Sequence, residues 1–300
     1  MTSASGSGTC ITIGNFDGVH LGHQALITLA REAAATAGLD FELITFWPHP
    51  RLVIAGGVSH ISLASRPERL RLLAGLGIDT IRELSFTPGL ASLSAEEFVT
   101  GFLLPRAIKI LVIGHDFNLG RDREGGAAAL AHLGAKYGFE VRQAEPFAIA
   151  GEPVSSTRLR AAIKAGEVAE AAQMLGRHYA LNGQVGHGYG RGAGLGFPTA
   201  NLVNVDTLAP GPGVYATFAR ACGRRWPAVT NIGFNPTFGN SAISLETFLL
   251  DTNASLYGSD LRLEFVERLR SERKFDSPGA LTAQISLDVA KARALLSGLQ

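Results

Sequence analysis

The chain has 300 residues and a formal net charge of +1 at pH 7, a length that suggests about two domains. The near-neutral charge argues against a strongly basic nucleic-acid-binding surface. No apolar run approaches the roughly 20 residues of a membrane helix, and Met1–Thr9 lacks the basic and apolar regions of a signal peptide. Cys10 and Cys222 fit neither a metal site nor a disulfide framework. We therefore expect a cytoplasmic protein that binds neither nucleic acid nor membranes.

Strand and helix patterns alternate along the first half of the chain. Apolar runs predict strands at Ile11–Ile13, Phe41–Phe46, Thr80–Leu84, Ile108–Ile113 and Glu140–Glu145. Helical spacing predicts helices between them, at Gln24–Ala37, Arg66–Ala74, Ala95–Leu103 and Gly126–Tyr137. This alternation is typical of βαβ units and a mostly parallel sheet. Ligands of such sheets bind beyond the carboxyl ends of the strands.

A glycine-rich turn, Gly14–His23, joins the first predicted strand to the first helix. Backbone N–H groups and the positive end of a helix dipole would therefore face an anion. His20 and His23 lie three residues apart and can share one face of the helix. The usual glycine-rich nucleotide patterns are absent, so a phosphate site here would be of the His-x-Gly-His type. A purely structural turn is the alternative interpretation.

Two further motifs, Thr45–Pro50 and Gly114–Gly120, lie at the carboxyl ends of predicted strands. Because parallel strands end at the same edge of a sheet, we expect these motifs and the first turn to converge on one crevice. Ser155–Thr157 lie at the N-terminus of one or two helices predicted over Arg158–Leu175. Helix capping explains the hydroxyl groups, but Arg158 beside them could also clamp triphosphate oxygens.

After about Tyr179 the sequence changes to short β-rich runs separated by glycine and proline, which predicts a small antiparallel barrel. The runs are Gly183–His187, Val214–Ala219, Ala228–Ile232, Ser244–Leu250 and Leu261–Leu269. Pro278–Leu296 has the pattern of an amphipathic helix. We expect an α/β fold in which residues 1–179 form a parallel-sheet domain, and residues 180–300 a barrel with a terminal helix.

The predicted barrel carries candidates for a second site. The glycine-dense segment His187–Gly196 could fold over phosphates or be a disordered crossover. The Thr199 hydroxyl and the Asn201 amide oxygen, which follow it, are hard ligands that suit Mg²⁺. The segment Asn231–Phe238 could equally be a tight turn between strands. Glu246 lies in a β-rich run and could simply face solvent by strand alternation.

Together these motifs resemble, in the same order, those of the bifunctional riboflavin kinase/FMN adenylyltransferases. The Gly14–His23 segment resembles the adenylyl-transfer signature of that family, and Gly196–Asn201 resembles its kinase motif Pro-Thr-Ala-Asn. Four more motifs of the family have counterparts. Thr45–Pro50 resembles Thr-Phe-x-Pro-His-Pro, and Gly114–Gly120 resembles Gly-x-Asp-Phe-x-Phe-Gly. Ser155–Arg158 resembles Ser-Ser-Thr-Arg, and Asn231–Phe238 resembles Asn-Ile-Gly-x-x-Pro-Thr-Phe. The resemblance extends from about Cys10 to about Leu296.

The resemblance implies a C-terminal riboflavin kinase and an N-terminal FMN adenylyltransferase, with ATP, Mg²⁺, riboflavin, FMN and FAD as ligands. It implies catalytic roles for Glu246, His20, His23 and Arg158, with Glu246 as the kinase base. The implied flavin-binding residues are Pro48, Asp116 and Asn231, and the implied magnesium ligands are Thr199 and Asn201. The implied nucleotide-binding residues are Gly14, Asn15, Phe16, Asp17, Gly18, Gly22, Ser156, Thr157, His187, Gly188, Arg191 and Gly196.

Three residues depart from the family pattern: Leu119 replaces a phenylalanine, Phe248 a histidine found in many relatives, and Thr252 a phenylalanine. We expect Glu246 to point into the mouth of the barrel. A nucleotidyltransferase for another phosphorylated acceptor, such as a pantetheine phosphate, would leave Glu246 without a purpose. A flavin-binding regulatory protein without catalysis would not need His20 and His23. The oligomeric state stays open, including a weak homo-oligomer.

Overall fold

The computed structural model describes residues 8–54, 61–186, 196–234, 243–252 and 254–299. The chain divides into two compact units, Met1–Ser155 and Ser156–Gln300. Each unit has its own sheet and its own apolar core.

The first unit is built on a five-stranded sheet in which every neighbouring pair is parallel. Its strands are β1 (Thr9–Ile13), β2 (Asp40–Trp47), β3 (Thr80–Ser85), β4 (Ile108–Ile113) and β5 (Glu140–Gln143). They lie in the order β3-β2-β1-β4-β5, so the direction of winding reverses at β1. The predicted parallel sheet is therefore confirmed.

Helices connect these strands. They are α1 (Leu21–Ala37), α2 (Pro50–Ile54), α3 (Arg66–Ala74), α4 (Pro88–Ala91), α5 (Ala95–Phe98) and α6 (Ala127–Tyr137). Short 3₁₀ turns, Leu104–Arg106 and Arg121–Arg123, and a small hairpin of β6 (Ala148–Ile149) and β7 (Glu152–Pro153) complete the unit.

The helix predicted over Ala95–Leu103 is wrong in its second half. It is α-helical only to Phe98 and continues as a π-helix, Val99–Leu103. Residues of low helix propensity, Val99, Thr100 and Gly101, lie at this change. The Thr100 hydroxyl donates to the carbonyl oxygens of Glu96 and Glu97 at 2.9 and 3.2 Å, a side-chain bond that competes with the regular ladder.

Apolar side chains cover both faces of the parallel sheet. One cluster includes Phe46, Phe98 and Leu130, and the other includes Phe16 and Leu73. Strands covered on both faces are typical of parallel sheets, which explains why β1 and β4 are almost continuously buried.

The second unit is a closed antiparallel barrel with three helices. The helices are α7 (Ser156–Ala165), α8 (Val168–Leu175) and α9 (Pro278–Ser297). The strands are β8 (Tyr179–Gly186), β9 (Thr199–Val203), β10 (Gly213–Ala221), β11 (Arg224–Phe234), β12 (Ile243–Leu249) and β13 (Asp260–Arg270). They close in the order β10-β11-β12-β9-β8-β13. The predicted barrel and terminal helix are confirmed.

Helix α7 and the turn that follows it are bonded to the barrel. Arg268 Nη1 on β13 donates to the carbonyl oxygen of Ala165 at 3.1 Å, and the Gly211 N–H donates to that of Ile163 at 3.0 Å. These bonds place α7 in the second compact unit. The domain boundary that the sequence suggests, at Tyr179, stays a prediction.

Buried threonines mark the interior of the barrel. The hydroxyls of Thr217, Thr230 and Thr247 form a chain of hydrogen bonds of 2.8 and 3.0 Å across β10, β11 and β12. Because side chains alternate along a strand, the neighbours of Thr247 lie on the outer face of the barrel. Helix α9 covers part of this outer face, where Ala292 and Leu296 are fully buried.

Candidate active sites

The Gly14–His23 turn leaves β1 and enters α1 at the centre of the first unit's sheet. Strand β1 lies between β2, which carries the start of the Thr45–Pro50 motif, and β4, which precedes Gly114–Gly120. The three motifs thus occupy the carboxyl ends of three adjacent strands, as predicted. The order reverses at β1, the position where ligands of doubly wound sheets bind.

His20 caps the N-terminus of α1 with its side chain. Its Nδ1 accepts a hydrogen bond from the His23 backbone N–H at 3.3 Å, one of the helix amides that lacks a partner within the helix. The two imidazole rings stack, with centroids 3.6 Å apart and an angle of 16° between the planes. His20 is only 5% exposed and His23 is half-buried, so the turn holds an oriented pair of imidazoles.

His23 is half-buried, and one of its ring nitrogens is buried without a hydrogen-bond partner. Its Nδ1 makes no hydrogen bond to any part of the chain that the structure describes. Burial holds the pKa of His23 well below its ordinary value, and a charge on His20 would lower that pKa further. His23 is therefore neutral at pH 7. A buried unpaired nitrogen costs free energy, and a ligand that bonded to it would remove this cost.

The backbone of the turn needs glycine at two close contacts. A Cβ on Gly22 would lie 3.2 Å from the His20 ring and from the Val154 carbonyl oxygen, and a Cβ on Gly14 would lie 3.0 Å from the Phe16 ring. Gly18 has a φ of 79°, in the left-handed region that favours glycine. Gly22 thus leaves the space that the His20 imidazole occupies.

The other residues predicted for this turn support its shape. Phe16 is fully buried in the core, with its ring edge-on to His23 at 5.3 Å. The Asp17 carboxylate is 3% exposed and accepts the Leu63 N–H at 2.9 Å. The Asn15 carbonyl oxygen accepts from Arg69 Nη1 at 3.1 Å. Side chains buried in this way fix the course of the backbone that leads into the N-terminus of α1.

Arg69 is a residue that the sequence analysis missed. Its side chain extends from α3 to the Gly14–His23 turn and to the end of β2. A signal for it exists in the sequence, because Arg69 precedes the buried Leu73 by four residues and so shares the apolar face of α3. A cation on the core-facing side of a helix requires partners.

The predicted residues Pro48 and Asp116 also lie at this edge of the sheet. Pro48 follows β2 and is half-buried, whereas Asp116 is exposed in the segment after β4. The residues predicted at the nucleotide from the second unit, Ser156, Thr157 and Arg158, begin α7. Arg158 Nη2 pairs with Glu170 Oε1 at 3.0 Å. Their assignment to the nucleotide stays a prediction.

The candidate kinase residues form a row on the outer face of the barrel. Glu246 on β12 lies directly opposite Asn201 on β9 and, on its other side, opposite Asn231 on β11. The expectation that Glu246 points into the mouth of the barrel is wrong. Its neighbour Thr247 takes the interior position, and strand alternation places Glu246 on the opposite face, where it is half-buried.

Thr199 extends this row. It lies two residues from Asn201 on β9, on the same face, and opposite Phe248. A hydroxyl, an amide and a carboxylate therefore share one face, and these hard oxygen donors fit Mg²⁺. In the described part of the chain, no group of three or more His, Cys, Asp or Glu residues could hold a metal.

Family models match both units. The FAD synthetase model matches residues 2–158 and the riboflavin kinase model matches residues 175–296. Proteins named bifunctional riboflavin kinase/FMN adenylyltransferase are 36% identical in Listeria monocytogenes (97% of this chain, 93% of that protein) and 39% identical in Pseudomonas fluorescens (96% and 93%). The chain belongs to the bifunctional riboflavin kinase/FMN adenylyltransferase family.

The family relationship extends to solved structures. A crystal structure from Streptococcus pneumoniae, described as a macrolide-efflux protein, matches with a TM-score of 0.87 and 32% identity, over 98% of this chain and 95% of that one. That description differs from the names of the sequence relatives, but the shared fold covers nearly the whole of both chains. Among the residues that the structure describes, no helix is long and apolar enough to cross a membrane.

Two departures from the family pattern have a structural explanation. Leu119 is buried in the core, and its backbone pairs in both directions with Gly125, at 3.0 and 2.8 Å. Phe248 packs edge-on against Phe197, with ring centroids 5.3 Å apart. Leu119 thus keeps an apolar side chain at a buried position, and Phe248 adds an aromatic contact beside a family motif. The third, Thr252, accepts a hydrogen bond from the Ala254 N–H at 3.1 Å.

Several residues that the family resemblance implies lie outside the described residues. They are His187, Gly188 and Arg191, together with the second half of the Asn231–Phe238 motif. Gly196, the last glycine of the first segment, is described and has a φ of 86°. Its left-handed conformation fits a turn that leads into β9.

Proposed function

We propose that this protein phosphorylates riboflavin with ATP to give FMN, and then transfers AMP from a second ATP to FMN to give FAD and pyrophosphate. The observation that carries the proposal is the presence of two chemically different sites in two compact units. A stacked histidine pair lies at the switch point of a parallel sheet. A glutamate flanked by two asparagines lies on a barrel.

In the kinase step, Glu246 accepts the proton of the ribityl 5′-hydroxyl as that oxygen attacks the γ-phosphorus of ATP and ADP leaves. Asn201 and Asn231, one on each side, hold the carboxylate and the substrate in register. Thr199 and Asn201 would hold Mg²⁺, which when bound neutralises charge on the ATP phosphates. His187, Gly188, Arg191 and Gly196 would cover those phosphates.

In the adenylyl step no protein nucleophile is needed, because the FMN phosphate is itself an anionic nucleophile. Its oxygen bonds to the α-phosphorus of ATP while the bond to pyrophosphate breaks. Negative charge grows on the α-phosphate, and the N–H groups at the start of α1 stabilise it together with His20 and His23. Because burial keeps His23 neutral, it contributes a hydrogen bond rather than a charge.

Other residues complete the proposed adenylyl site. Pro48 and Asp116 lie at the end of the site that takes the flavin. The exposed position of Asp116 leaves its carboxylate accessible to a ligand.

The test is chromatographic analysis of flavins after incubation of the protein with riboflavin, ATP and MgCl₂. We expect FMN to appear first and FAD to follow, with pyrophosphate released only as FAD forms. Chelation of Mg²⁺ should stop the kinase step. Flavin that binds but is not converted would indicate a regulatory protein. Adenylylation of 4′-phosphopantetheine in place of FMN would indicate a different nucleotidyltransferase.

A further inference from the structure

Arg69 connects the ends of three neighbouring strands. It is 3% exposed. Its Nη1 donates to the Asn15 carbonyl oxygen at 3.1 Å, and its Nη2 donates to the Phe46 carbonyl oxygen at 3.0 Å and to Glu83 Oε2 at 2.9 Å. Asn15 follows β1, Phe46 lies near the end of β2, and Glu83 lies on β3. One guanidinium thus bonds to the backbone at the ends of two adjacent strands.

Burial of this cation is costly, and ion pairing compensates for only part of the cost. Burial lowers the pKa of Arg69, and Glu83 opposes that change. Glu83 is shared with Arg66, whose Nη2 lies 2.6 Å from it. The Nε of Arg69 has no hydrogen-bond partner in the described ranges. A well-packed apolar side chain would give at least as much stability at this position. The bonds to two backbone carbonyl groups, which the forked guanidinium can make at once, therefore account for the arginine.

The Asn15 carbonyl lies at the entrance to the histidine turn. The next residue, Phe16, has a φ of 49°, and Val19, just before the helix cap, has a φ of 44°. Side chains with a Cβ adopt this region only when surrounding contacts impose it. Contacts from α3 and the segment before it flank Phe16 on both sides, because the Leu63 N–H donates to Asp17 and Arg69 donates to Asn15. The position of the His20 imidazole follows from this backbone.

We propose that Arg69 is a positioning residue for adenylyl transfer. It holds the Asn15 carbonyl so that the turn presents His20, His23 and the first amides of α1 to the nucleotide. The proposal rests on the adenylyltransferase function of the first unit. It predicts that loss of Arg69 lowers kcat for FAD formation, since a displacement of about 1 Å in a catalytic group can cost on the order of 100-fold.

Arg66 provides a matched control on the same helix. Its guanidinium lies 5.9 Å from the Trp47 ring centroid and that of Arg69 lies 5.7 Å from it. Both arginines pair with Glu83, but the Arg66 side chain is 52% exposed. Only Arg69 donates to Asn15. Arg66→Ala therefore removes the shared ion pair and ring contact and keeps the contact to the turn.

The experiment measures kcat and KM for FAD formation from FMN, riboflavin phosphorylation and thermal unfolding on each preparation. We expect Arg69→Ala to lose about 100-fold in kcat with unchanged kinase activity, and Arg66→Ala to stay near wild type. Added ethylguanidine should restore part of the kcat of Arg69→Ala. Arg69→Lys, which keeps one charge but cannot span two carbonyls, should keep an intermediate kcat.

Two results would overturn the positioning role. One is wild-type kcat in Arg69→Lys and Arg69→Ala. The other is a loss of kcat that also occurs in Arg66→Ala, or a loss of kcat that is proportional to the unfolded fraction and is not relieved by ethylguanidine. If Arg69→Ala does not fold, Arg69→Lys decides between the same outcomes. A wild-type protein that makes no FAD from FMN would instead refute the proposed function itself.

Discussion

Substitution of Gly22 by alanine should separate activity from stability in the adenylyl site. The new Cβ would lie 3.2 Å from the Cε1 and Nδ1 atoms of His20 and from the Val154 carbonyl oxygen. This is closer than ordinary van der Waals contact, and the backbone carbonyl is the less mobile neighbour. We therefore expect the imidazole to shift by a few tenths of an ångström, which disturbs its stack on His23 and weakens its long hydrogen bond to the N–H that it caps.

The two effects on stability nearly cancel. Alanine in place of glycine in a helix contributes about 1 kcal/mol of stability, and loss of an N-cap bond costs about 1 kcal/mol. The net change in the free energy of unfolding should therefore be close to zero. FAD formation should fall roughly 10- to 100-fold, because a catalytic group displaced by part of an ångström loses transition-state contacts.

The assay is FAD formation from FMN and Mg-ATP, with riboflavin phosphorylation and thermal unfolding measured on the same preparation. Gly101→Ala is the matched control, because a Cβ on this helical glycine would meet nothing within 4 Å. We expect the control to keep full activity. A Gly22→Ala enzyme with wild-type kcat would refute the claim that the His20 ring must occupy this position.

Three further predictions follow from the sites and the units. Glu246→Gln should lower FMN formation by about 10²- to 10⁴-fold, the usual contribution of a general base. It should leave FAD formation from supplied FMN intact, and equal loss of both activities would exclude the role of Glu246 as the kinase base. The pKa of His23 is lowered in the folded chain, so below pH 6.5 the unfolded chain binds one more proton than the folded chain. Acidification from pH 6.5 to 5.5 should therefore destabilise wild type more than His23→Ala, by up to about 1 kcal/mol in urea unfolding. Equal pH dependence of the two proteins would contradict this. A fragment of residues 156–300 should unfold at a higher temperature than one of residues 180–300, which lacks α7 and α8; equal midpoints would favour the boundary at Tyr179.

Local patterns predicted much of the fold. The strands of the first unit follow from short apolar runs, and alternation with helices implied that they are parallel. The position of the histidine turn then followed from the general rule that ligands bind at the carboxyl ends of such strands. The barrel was predictable from closely spaced β-rich runs. These features depend on residues near one another in the sequence, which is why the pattern was sufficient.

The remaining features depend on contacts between distant segments. The role of Arg69 requires the ends of β1, β2 and β3 to be adjacent, and the sequence shows only a charged residue on a short helix. The face of the barrel that carries Glu246 depends on which side the threonine chain occupies. The attachment of α7 to the barrel depends on bonds from Arg268 and Gly211 to distant carbonyl groups. Strand order and closure, which sequence periodicity does not specify, determine all three.

If one chain carries two separate active sites, variants that each lack one site should complement each other, and a mixing experiment tests this. His23→Ala and Glu246→Gln are each incubated with riboflavin and Mg-ATP, alone and together. We expect that His23→Ala alone accumulates FMN, that Glu246→Gln alone makes almost no product, and that the mixture makes FAD. Absence of FAD from the mixture of the two folded variants would contradict two independent sites, as would FAD formation from riboflavin by each variant alone.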